Sequence, residues 1–447
     1  MPPNTCNIAL FGCGTVGAGV ASMLLGRQGA VKERFGDRLE LSHIVDKRID
    51  YVREEVSPPD AVQVTDDLDG VLQNDDVDVA VELFGGIETA GELVEKALRN
   101  GKHVVTANKA LLAKEGDHLF RVARECGRSI AYEASAAGCI PIISALREDF
   151  AGDRVQSIYG IVNGTCNYIL TRMTEAGLSY DRALQEAMDR GYAEADPTLD
   201  VEGRDSAHKL AVMARLAFGT RVELDDVACE GITHVAVEDI RYARGLGWTL
   251  KLLAMGIRTG RGMELRVHPT LLPHSHPLAS IRGAYNAVCV HTETAGEVIL
   301  TGKGAGRWPT ANAVVGDICR IGLGTYQPQF SALAQFGEVD RVHPVDIDDV
   351  RCRYYFRLSC MDRPGVLAQT SGILGEENVS ISSCVQQDTG GEEGEHVPVV
   401  FMTHTAREGD VRRALDRINS LDCIKADGTH MLRVQQIRGE STQAGGA

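Results

Sequence analysis

The first third of the chain alternates short apolar runs with stretches in which apolar residues recur every three or four positions. The apolar runs have the length of buried strands and lie at residues 6–12, 39–46, 77–84, 103–106 and 129–133. Residues 89–99, between the third and fourth runs, have the period of an amphipathic helix. Strands that alternate with helices predict an α/β fold with a parallel sheet and right-handed crossovers.

A glycine-rich turn follows the first run, where residues 12–17 read Gly-Cys-Gly-Thr-Val-Gly. In a strand–turn–helix setting, Gly12 permits the tight turn, Gly14 admits a pyrophosphate against bare backbone, and Gly17 lets helix and strand pack closely. The N–H groups at the start of the helix are donors for the phosphates. The turn therefore predicts an N-terminal Rossmann-type dinucleotide-binding domain over residues 1–150.

Three charged residues at the end of the second run bear on the choice of dinucleotide. Asp46 ends that run, where an acidic side chain commonly binds the adenosine ribose hydroxyls. Lys47 and Arg48 follow directly and could hold a 2′-phosphate instead. The sequence therefore leaves both NAD and NADP open.

The pattern changes beyond about residue 150. Residues 159–168 have the character of a strand-to-helix junction, and a long helical region continues to about residue 220. Apolar and polar residues alternate over 245–300, which predicts a second sheet and an α+β domain over residues 151–302. A second glycine-rich turn at 302–309 ends in Pro309, which is well placed to open a helix. This turn suggests that the chain returns to the nucleotide-binding fold over about 303–325.

The last quarter of the chain has a third sequence pattern. Residues 326–350 are predicted to be a linker, and residues 351–436 have a βαββαβ pattern that predicts a small α+β domain. Residues 437–447 are small and polar, and they are predicted to be a disordered tail.

Composition restricts the classes of function. The chain has 447 residues, 44% of them hydrophobic, and a formal net charge of −16, which argues against non-specific nucleic-acid binding and against anionic membrane surfaces. No apolar run approaches the ~20 residues of a membrane span, and no signal peptide is recognisable. Twelve cysteines without a CxxC pair are typical of reduced thiols, so a cytoplasmic protein is expected.

The densest polar chemistry lies at residues 191–209, where five acidic residues fall within twelve positions and precede Lys209. If a helix starts near Gly203, Asp205 and Lys209 are at i and i+4 on one face, and Leu210 and Met213 provide a buried face. A rigid acid–ammonium pair beside further carboxylates suits binding of an amino-acid zwitterion and proton transfer. A plain surface ion pair would have the same spacing. The five acids are Glu194, Asp196, Asp200, Glu202 and Asp205.

These residues carry a resemblance to a known family. The chain resembles homoserine dehydrogenases of the long form, with a C-terminal ACT domain, over nearly its whole length. The resemblance implies NAD(P)-dependent interconversion of L-aspartate 4-semialdehyde and L-homoserine, on the route to threonine, methionine and isoleucine. The motifs that carry it lie at residues 12–17, 82–86, 105–109, 133–141, 163–168, 191–209, 304–306, 362–367 and 397–404.

The resemblance also implies roles for individual residues. Lys209 would be the acid/base residue with Asp205 as its neighbour, and Lys109 would lie between nicotinamide and substrate. Glu194 and Asp200 would bind the substrate. The implied cofactor-binding residues are Gly12, Gly14, Thr15, Val16, Gly17, Asp46, Lys47, Arg48, Thr106, Lys109 and Gly306.

Two further expectations follow from the resemblance. Glu133, with the backbone carbonyls of Ala136, Gly138 and Ile140, matches the family's sodium site. The ACT domain implies an amino-acid effector, with threonine as the expected ligand, and the middle domain implies dimerisation into a homodimer or homotetramer.

Two alternative functions stay open at this point. One is an aspartate-semialdehyde dehydrogenase with a cysteine nucleophile, for which Cys139 and Cys166 lie inside motif blocks. The other is a non-catalytic sensor of NAD(P) and an amino acid. The presence of both Lys109 and Lys209 speaks against the sensor.

Overall fold

The computed structural model describes residues 5–26, 31–333, 339–386, 395–425 and 428–436. The predicted disordered tail at 437–447 lies outside these residues. The chain divides into two compact units. The first consists of the residues up to Gly164, Asp205–Val227 and Tyr285–Val342, and the second consists of Thr165–Arg204, Ala228–Ala284 and the residues from His343 onward.

The strands, in chain order, are β1 Cys6–Phe11, β2 Leu39–Val45, β3 Gln63–Thr65, β4 Val79–Glu82, β5 His103–Thr106, β6 Ile130–Ala131, β7 Val155–Ile161, β8 Ala228–Cys229, β9 Trp248–Thr259, β10 Gly262–Pro273, β11 Tyr285–Thr292, β12 Gly296–Lys303, β13 Arg351–Met361, β14 Ile381–Gln386, β15 His396–Thr403, β16 Ala406–Arg407 and β17 His430–Val434.

The helices are α1 Thr15–Leu24, α2 Val31–Phe35, α3 Ile49–Val56, α4 Leu68–Gln73, α5 Glu88–Arg99, α6 Lys109–Glu125, α7 Ile142–Ser144, α8 Gly164–Ala176, α9 Tyr180–Asp189, α10 Thr198–Val201, α11 Arg204–Phe218, α12 Val237–Gly245, α13 Arg307–Gly322, α14 Tyr326–Ala332, α15 Val366–Glu376 and α16 Glu408–Asn419. Short 3-10 turns cover Gly36–Arg38, Glu133–Ser135, Leu224–Asp226, Pro277–Ser280 and Ile347–Asp349, and a π-helical turn covers Ala145–Asp149.

A parallel sheet forms the centre of the first unit. Among the described residues it has six strands in the order β3-β2-β1-β4-β5-β6, in which the strand sequence reverses direction between β1 and β4. Strands buried on both faces need continuous apolar sequence, and the residues Ile8–Phe11 and Val79–Val81 are essentially inaccessible to solvent. This sheet confirms the predicted α/β, Rossmann-type domain. The carboxyl ends of β1 and β4 define the point at which such folds bind a dinucleotide.

Helix α13 packs against α1 of this nucleotide-binding fold. A Cβ at Gly19 of α1 would lie 3.0 Å from the Ala311 Cβ of α13, so the two helices approach closely because a glycine faces an alanine. The first unit also contains an antiparallel set of three strands, in which β11 pairs with β7 on one side and with β12 on the other.

The second unit has a mixed sheet in the order β9-β10-β17-β13-β15-β14, with β8 beside β10 and β16 beside β13. The ACT fold lies at the end of this sheet that contains β17, β13, β15 and β14. Its core includes Tyr354, Phe356, Leu374, Phe401 and Ile418. This part of the chain joins the preceding strands directly, because β17 pairs in parallel with β10 through Thr270↔Arg433 and Leu271↔Val434.

Several sequence-based expectations differ in detail from the structure. The predicted linker at 326–350 contains α14 and a 3-10 turn, and the predicted long helical region is divided into α8, α9, α10 and α11. The domain bounds stay predictions. None of the helices in the described part of the chain has the length and apolar character needed to cross a membrane.

Candidate active site

Helix α11 carries the acid–lysine pair that the sequence predicts. The helix begins at Arg204, directly after Gly203, whose φ of +82° lies in the left-handed region that favours glycine. Leu210 and Met213 are fully buried and fix the rotation of the helix. Asp205 and Lys209 are thereby held on one face.

The Asp205 carboxylate lies between two ammonium groups. Its Oδ2 atom is 2.7 Å from Lys209 Nζ, and its Oδ1 atom is 3.0 Å from Lys109 Nζ. Asn163 Nδ2 donates to Oδ2 at 2.9 Å, and Lys209 Nζ also donates to the Val162 carbonyl at 2.7 Å. The Lys109 side chain is 39% exposed and the Lys209 side chain 13%, so Lys109 is the more open of the two.

The charges around Asp205 decide its protonation. Burial raises the pKa of the Asp205 carboxyl, but the ammonium groups of Lys209 and Lys109 and the hydrogen bonds outweigh burial and hold the pKa well below its ordinary value. The carboxylate therefore stays ionised at neutral pH and pairs with both lysines. The cluster of two ammonium groups and one carboxylate carries a net positive charge.

Lys109 follows a hydrogen-bonded turn at the end of β5. It is the first residue of α6, which Asn108 caps by accepting a bond from Leu111 N at 3.1 Å. Asn108 N donates to Thr106 Oγ1 at 3.0 Å, and the Thr106 hydroxyl donates to Glu82 Oε2 at 2.5 Å. Glu82 lies in the 82–86 motif, but the sequence alone indicates no role for it in the site.

Glu82 is a buried acid without a cation in contact. Its Oε1 atom accepts from Phe84 N at 2.8 Å, and no described lysine or arginine forms an ion pair with it. Burial raises the pKa of Glu82 to about 7, against the opposing effect of hydrogen bonds from Thr106, Phe84 and Asn108. Glu82 therefore ties the end of β4 to the turn that carries Lys109.

The glycine turn has the shape that a dinucleotide requires. Gly12 has φ +95°, and a Cβ there would lie 2.9 Å from the Leu83 carbonyl oxygen. A Cβ at Gly17 would lie 2.1 Å from the Gly12 carbonyl oxygen, whereas Gly14 has open space on its Cβ side. The N-cap residue of α1 is Gly14, which has no side chain to accept from the first N–H groups of the helix. The turn fits a pyrophosphate.

Asp46 has partners of its own at the adenosine end. Its Oδ2 accepts from Cys13 N at 2.8 Å, and its two oxygens accept from Arg48 Nε at 3.1 Å and from Arg48 Nη2 at 3.0 Å. The hydrogen bond from Arg48 lowers the pKa of Asp46 to about 2. The Arg48 guanidinium lies 4.8 Å over the Tyr51 ring. A cavity of about 550 Å³ beside this pair is lined by Val45, Asp46, Lys47, Arg48, Asp66, Leu68, Phe84, Gly85 and Thr89.

The segment at Gly306 and Arg307 contacts the same glycine turn. Gly306 has φ +115° and directly precedes α13. Arg307 Nε donates to the Thr15 carbonyl at 3.1 Å, and the Arg307 guanidinium pairs with Glu55. Arg307 was not among the predicted site residues, since the only signal for it in the sequence is its position directly after Gly306.

Glu194 and Asp200 lie in the second unit. Glu194 is exposed in the segment between α9 and α10, and Asp200, in α10, is partly buried, its carbonyl accepting a contact from Cys166 Sγ at 3.1 Å. Their role in substrate binding stays a prediction.

The expected sodium ligands have other contacts. Glu133 Oε1 accepts from Ile143 N at 2.8 Å, and Oε2 accepts from Ser144 N at 2.9 Å and from the Ser144 hydroxyl. The Ile140 carbonyl accepts from the N–H of Ile142 at 2.8 Å. Ala136 is buried, and Gly138 packs against Gly304. Arg320 Nη1 lies 3.8 Å from Oε2 as well, and the sodium site stays a prediction.

The fold and the site together define a class of protein. A parallel sheet with a phosphate-binding glycine turn, and a positively charged lysine–aspartate cluster in the same unit, are the features of a nicotinamide-dependent oxidoreductase.

Comparison with known proteins makes this class specific. The family described as "Homoserine dehydrogenase" matches residues 141–319, "Homoserine dehydrogenase, NAD binding domain" matches 12–133, and "ACT domain" matches 354–423. A homoserine dehydrogenase of Neisseria gonorrhoeae is 42% identical over 96% of this chain and 99% of its own length. One of Synechocystis is 41% identical over 94% of this chain and 98% of its own length.

Solved structures agree with the sequence relatives. A homoserine dehydrogenase from Thiobacillus denitrificans superimposes with a TM-score of 0.89 at 37% identity, covering 97% of this chain and 98% of that one. A hyperthermophilic archaeal homoserine dehydrogenase in complex with NADPH has a TM-score of 0.60 at 27% identity, covering 72% of this chain and 98% of that one. The chain belongs to the homoserine dehydrogenase family and is an oxidoreductase with an ACT domain. This assignment excludes the cysteine-dependent dehydrogenase and the non-catalytic sensor.

Glu82→Gln should flatten the pH dependence of stability between pH 4.5 and about 7. Because the folded-state pKa is raised, the stability contributed by the bound proton is present at low pH and is lost as pH rises through about 7. The loss is at most roughly 3 kcal/mol across that window. Denaturant unfolding at several pH values measures it, with the exposed Glu92→Gln on α5 as control. A variant whose profile runs parallel to that of the parent would contradict the prediction.

Proposed function

We propose that the Asp205-bridged lysines are the proton-transfer machinery of an NAD(P)-dependent enzyme that interconverts L-aspartate 4-semialdehyde and L-homoserine. The observation that carries the proposal is the position of one buried carboxylate within 3.0 Å of both Lys109 Nζ and Lys209 Nζ. Two ammonium groups held together are suited to an oxygen atom that gains negative charge during the reaction.

Reduction of the aldehyde needs a hydride at carbon and a proton at oxygen. A bound nicotinamide supplies the hydride. Lys209 donates the proton to the carbonyl oxygen, and Asp205 stays ionised and keeps the Lys209 side chain oriented through their 2.7 Å contact. Lys109, the more exposed lysine, provides a second positive charge toward the same oxygen. In the reverse direction, neutral Lys209 accepts the hydroxyl proton of homoserine.

Substrate selection is proposed to involve the acidic segment of the second unit. Glu194 and Asp200 are assigned to the substrate by family resemblance, and carboxylates are suitable partners for its ammonium group. The product places the enzyme in the biosynthesis of threonine, methionine and isoleucine.

The cofactor site is proposed to accept both NAD and NADP. Asp46 is suited to ribose hydroxyls, but Arg48 already neutralises it, and Lys47 adds a further positive charge at the same cavity. The archaeal relative that was solved with NADPH supports use of the phosphorylated form. A 2′-phosphate would therefore meet an approximately balanced set of charges.

The remaining expectations concern the surroundings of the enzyme. We infer a cytoplasmic homodimer or homotetramer, in line with twelve cysteines that are all free. A sodium ion at Glu133 and the carbonyls of Ala136, Gly138 and Ile140 is proposed from family resemblance alone and takes no part in the proposed proton transfer.

The ACT domain is proposed to bind threonine and to inhibit the enzyme. A cavity of about 150 Å³ is lined by residues 360–367 together with Gln386, Val397 and Val399. On the same strand β13, Tyr355 Oη donates to Asp239 Oδ1 at 2.9 Å, and Arg357 donates to both Asp239 oxygens at 2.7 and 3.1 Å. Because Asp239 belongs to α12, the effector domain is connected to the part of the second unit that precedes it.

Lys209→Ala should lower turnover by about 10²- to 10⁴-fold, because a general acid contributes that much to a proton-transfer step. Cofactor binding should be retained, since Lys209 contacts Asp205 and Val162 and is not part of the glycine turn. Steady-state kinetics with homoserine and nucleotide titration by fluorescence measure the two effects, with the exposed Lys114→Ala as control. Turnover within a few-fold of the parent would make Lys109 the proton donor instead.

Arg48→Ala should lower the ratio of kcat/KM for NADPH to kcat/KM for NADH by about tenfold, ~1.4 kcal/mol. Its removal leaves the Asp46 carboxylate without the partner that neutralises it, so the repulsion of a 2′-phosphate increases. Arg53→Ala on α3 is the matched control. The parent enzyme should use both cofactors. A parental preference for NADPH of about a thousandfold would show that the basic pair dominates and that Asp46 does not contact the ribose.

Asp239→Asn should weaken the inhibition by threonine, because the amide can no longer pair with Arg357. Allosteric coupling is commonly worth about 5- to 150-fold in affinity, and we expect a loss within that range while uninhibited activity is retained. The measurement is activity against threonine concentration, with the exposed Glu238→Gln on the same helix as control. This substitution is more informative than truncation after Val350, which would remove Tyr355 and Arg357 and leave Asp239 buried without them. An unchanged response would separate Asp239 from the regulation.

A further inference from the structure

The second unit contains a cavity that the reaction and the effector do not use. It has a volume of about 550 Å³ and lies among α8, α12, β9 and the 3-10 turn Pro277–Ser280. This volume is in the range of small-molecule sites. The residues that line it and carry charge or an aromatic ring are Glu175, Arg244, Trp248, Lys251, His274 and Arg282.

Lys251 is the unusual member of this lining. It lies on β9 and is 3% exposed, and its ammonium donates to Asn167 Oδ1 at 3.1 Å and to the Ile281 carbonyl. Both of these acceptors are neutral, and none of the carboxylates in the described ranges forms an ion pair with Lys251. A buried ammonium has three N–H donors and is costly without a counter-charge. Burial, and secondarily Arg282, lower the pKa of Lys251 to about 8.

The other charged groups leave the cavity with an excess of positive charge. Arg282 pairs with Glu175 at 3.3 Å, and both side chains are substantially exposed. Arg244 has a long contact of 3.5 Å from its guanidinium to the Thr174 carbonyl. His274 is bonded through Nε2 to the Trp248 carbonyl at 3.0 Å. Three cations thus face one carboxylate, in a chain whose formal net charge is −16.

We propose that this cavity binds the oxyanion group of a small polar metabolite, a carboxylate or a phosphate, with Lys251 at the bound anion and Arg244 beside it. The anion supplies the counter-charge that Lys251 lacks. Trp248 and Leu250 provide apolar surface for the rest of the ligand. Glu175 disfavours ligands of high negative charge, so the site is suited to a molecule with one such group.

Sulfate is a suitable probe, because its charge is constant from pH 7 to 9.5 and a change in its affinity then reports on the protein. Titration calorimetry on the full chain, at constant ionic strength set with sodium chloride, should show weaker binding at pH 9.5 than at pH 7 as Lys251 loses its proton. The glycine turn also attracts anions, so the difference between parent and variant isolates this cavity.

Lys251→Gln should weaken this sulfate binding at pH 7 at least tenfold, and Arg244→Gln should weaken it several-fold while leaving the buried Lys251 contacts in place. The exposed Lys96→Gln should leave it unchanged. Acetate and inorganic phosphate are then compared as competitors, and the stronger one identifies the recognised group. Three results would each overturn the proposal. The parent and both cavity variants could bind sulfate with equal affinity, the affinity could be independent of pH, or neither anion could compete.

Discussion

The arrangement of the active-site lysines depends on the Asp205 carboxylate. Two ammonium groups that approach the same point repel each other, and Lys109 and Lys209 stay close because each pairs with a different oxygen of one acid. The acid itself is 7% exposed and is fixed by a helix whose opposite side is fully buried. Lys209 lies one turn after Asp205 on helix α11, whereas Lys109 is the first residue of α6, which follows β5. The carboxylate therefore connects Lys209, which is four residues away on the same helix, with Lys109, which is distant along the chain.

The buried acids differ in how their charge is compensated, and this difference separates their functions. Asp46 and Asp239 each accept two hydrogen bonds from an arginine side chain, so a cation in contact compensates the charge of each. Glu82 has only a hydroxyl and N–H groups as donors, so its ionisation costs more and its pKa lies near neutrality. Asp205 has two lysines and remains ionised. The carboxylate group thus serves for pairing with an arginine, for holding a turn and for bringing two lysines together.

Much of this could be predicted from sequence because the decisive signals are local. The i,i+4 spacing of Asp205 and Lys209 and the order of glycines at 12–17 fix geometry over a few residues, and both are found as predicted. Asn163, which also bonds to Asp205, lies 42 positions away along the chain, and although it belongs to the 163–168 motif, no spacing in the sequence pairs it with Asp205. Strand β3 was missed because its three residues, Gln63–Thr65, are too short to show a period.

The connection of the ACT domain to the rest of the second unit was also invisible in the sequence, since it rests on contacts between residues far apart along the chain. These include the pairing of β10 with β17, the ion pair of Asp239 with Arg357, and that of Glu230 with Arg433. Its geometry nevertheless has a simple mechanical consequence. Tyr355 and Arg357 are two residues apart on β13, so they project from the same face of the strand toward Asp239. The effector cavity begins at Cys360 on that strand, about 10 Å beyond Arg357 at the usual rise per residue. A hydrogen-bonded strand transmits displacement along its length better than a loop does, and β15 pairs with β13 from Tyr355 to Met361, while β17 pairs with it as far as Arg357. If the proposed effector shifts the turn after Met361, the shift would reach Asp239 along β13 without an extended chain of side-chain rearrangements.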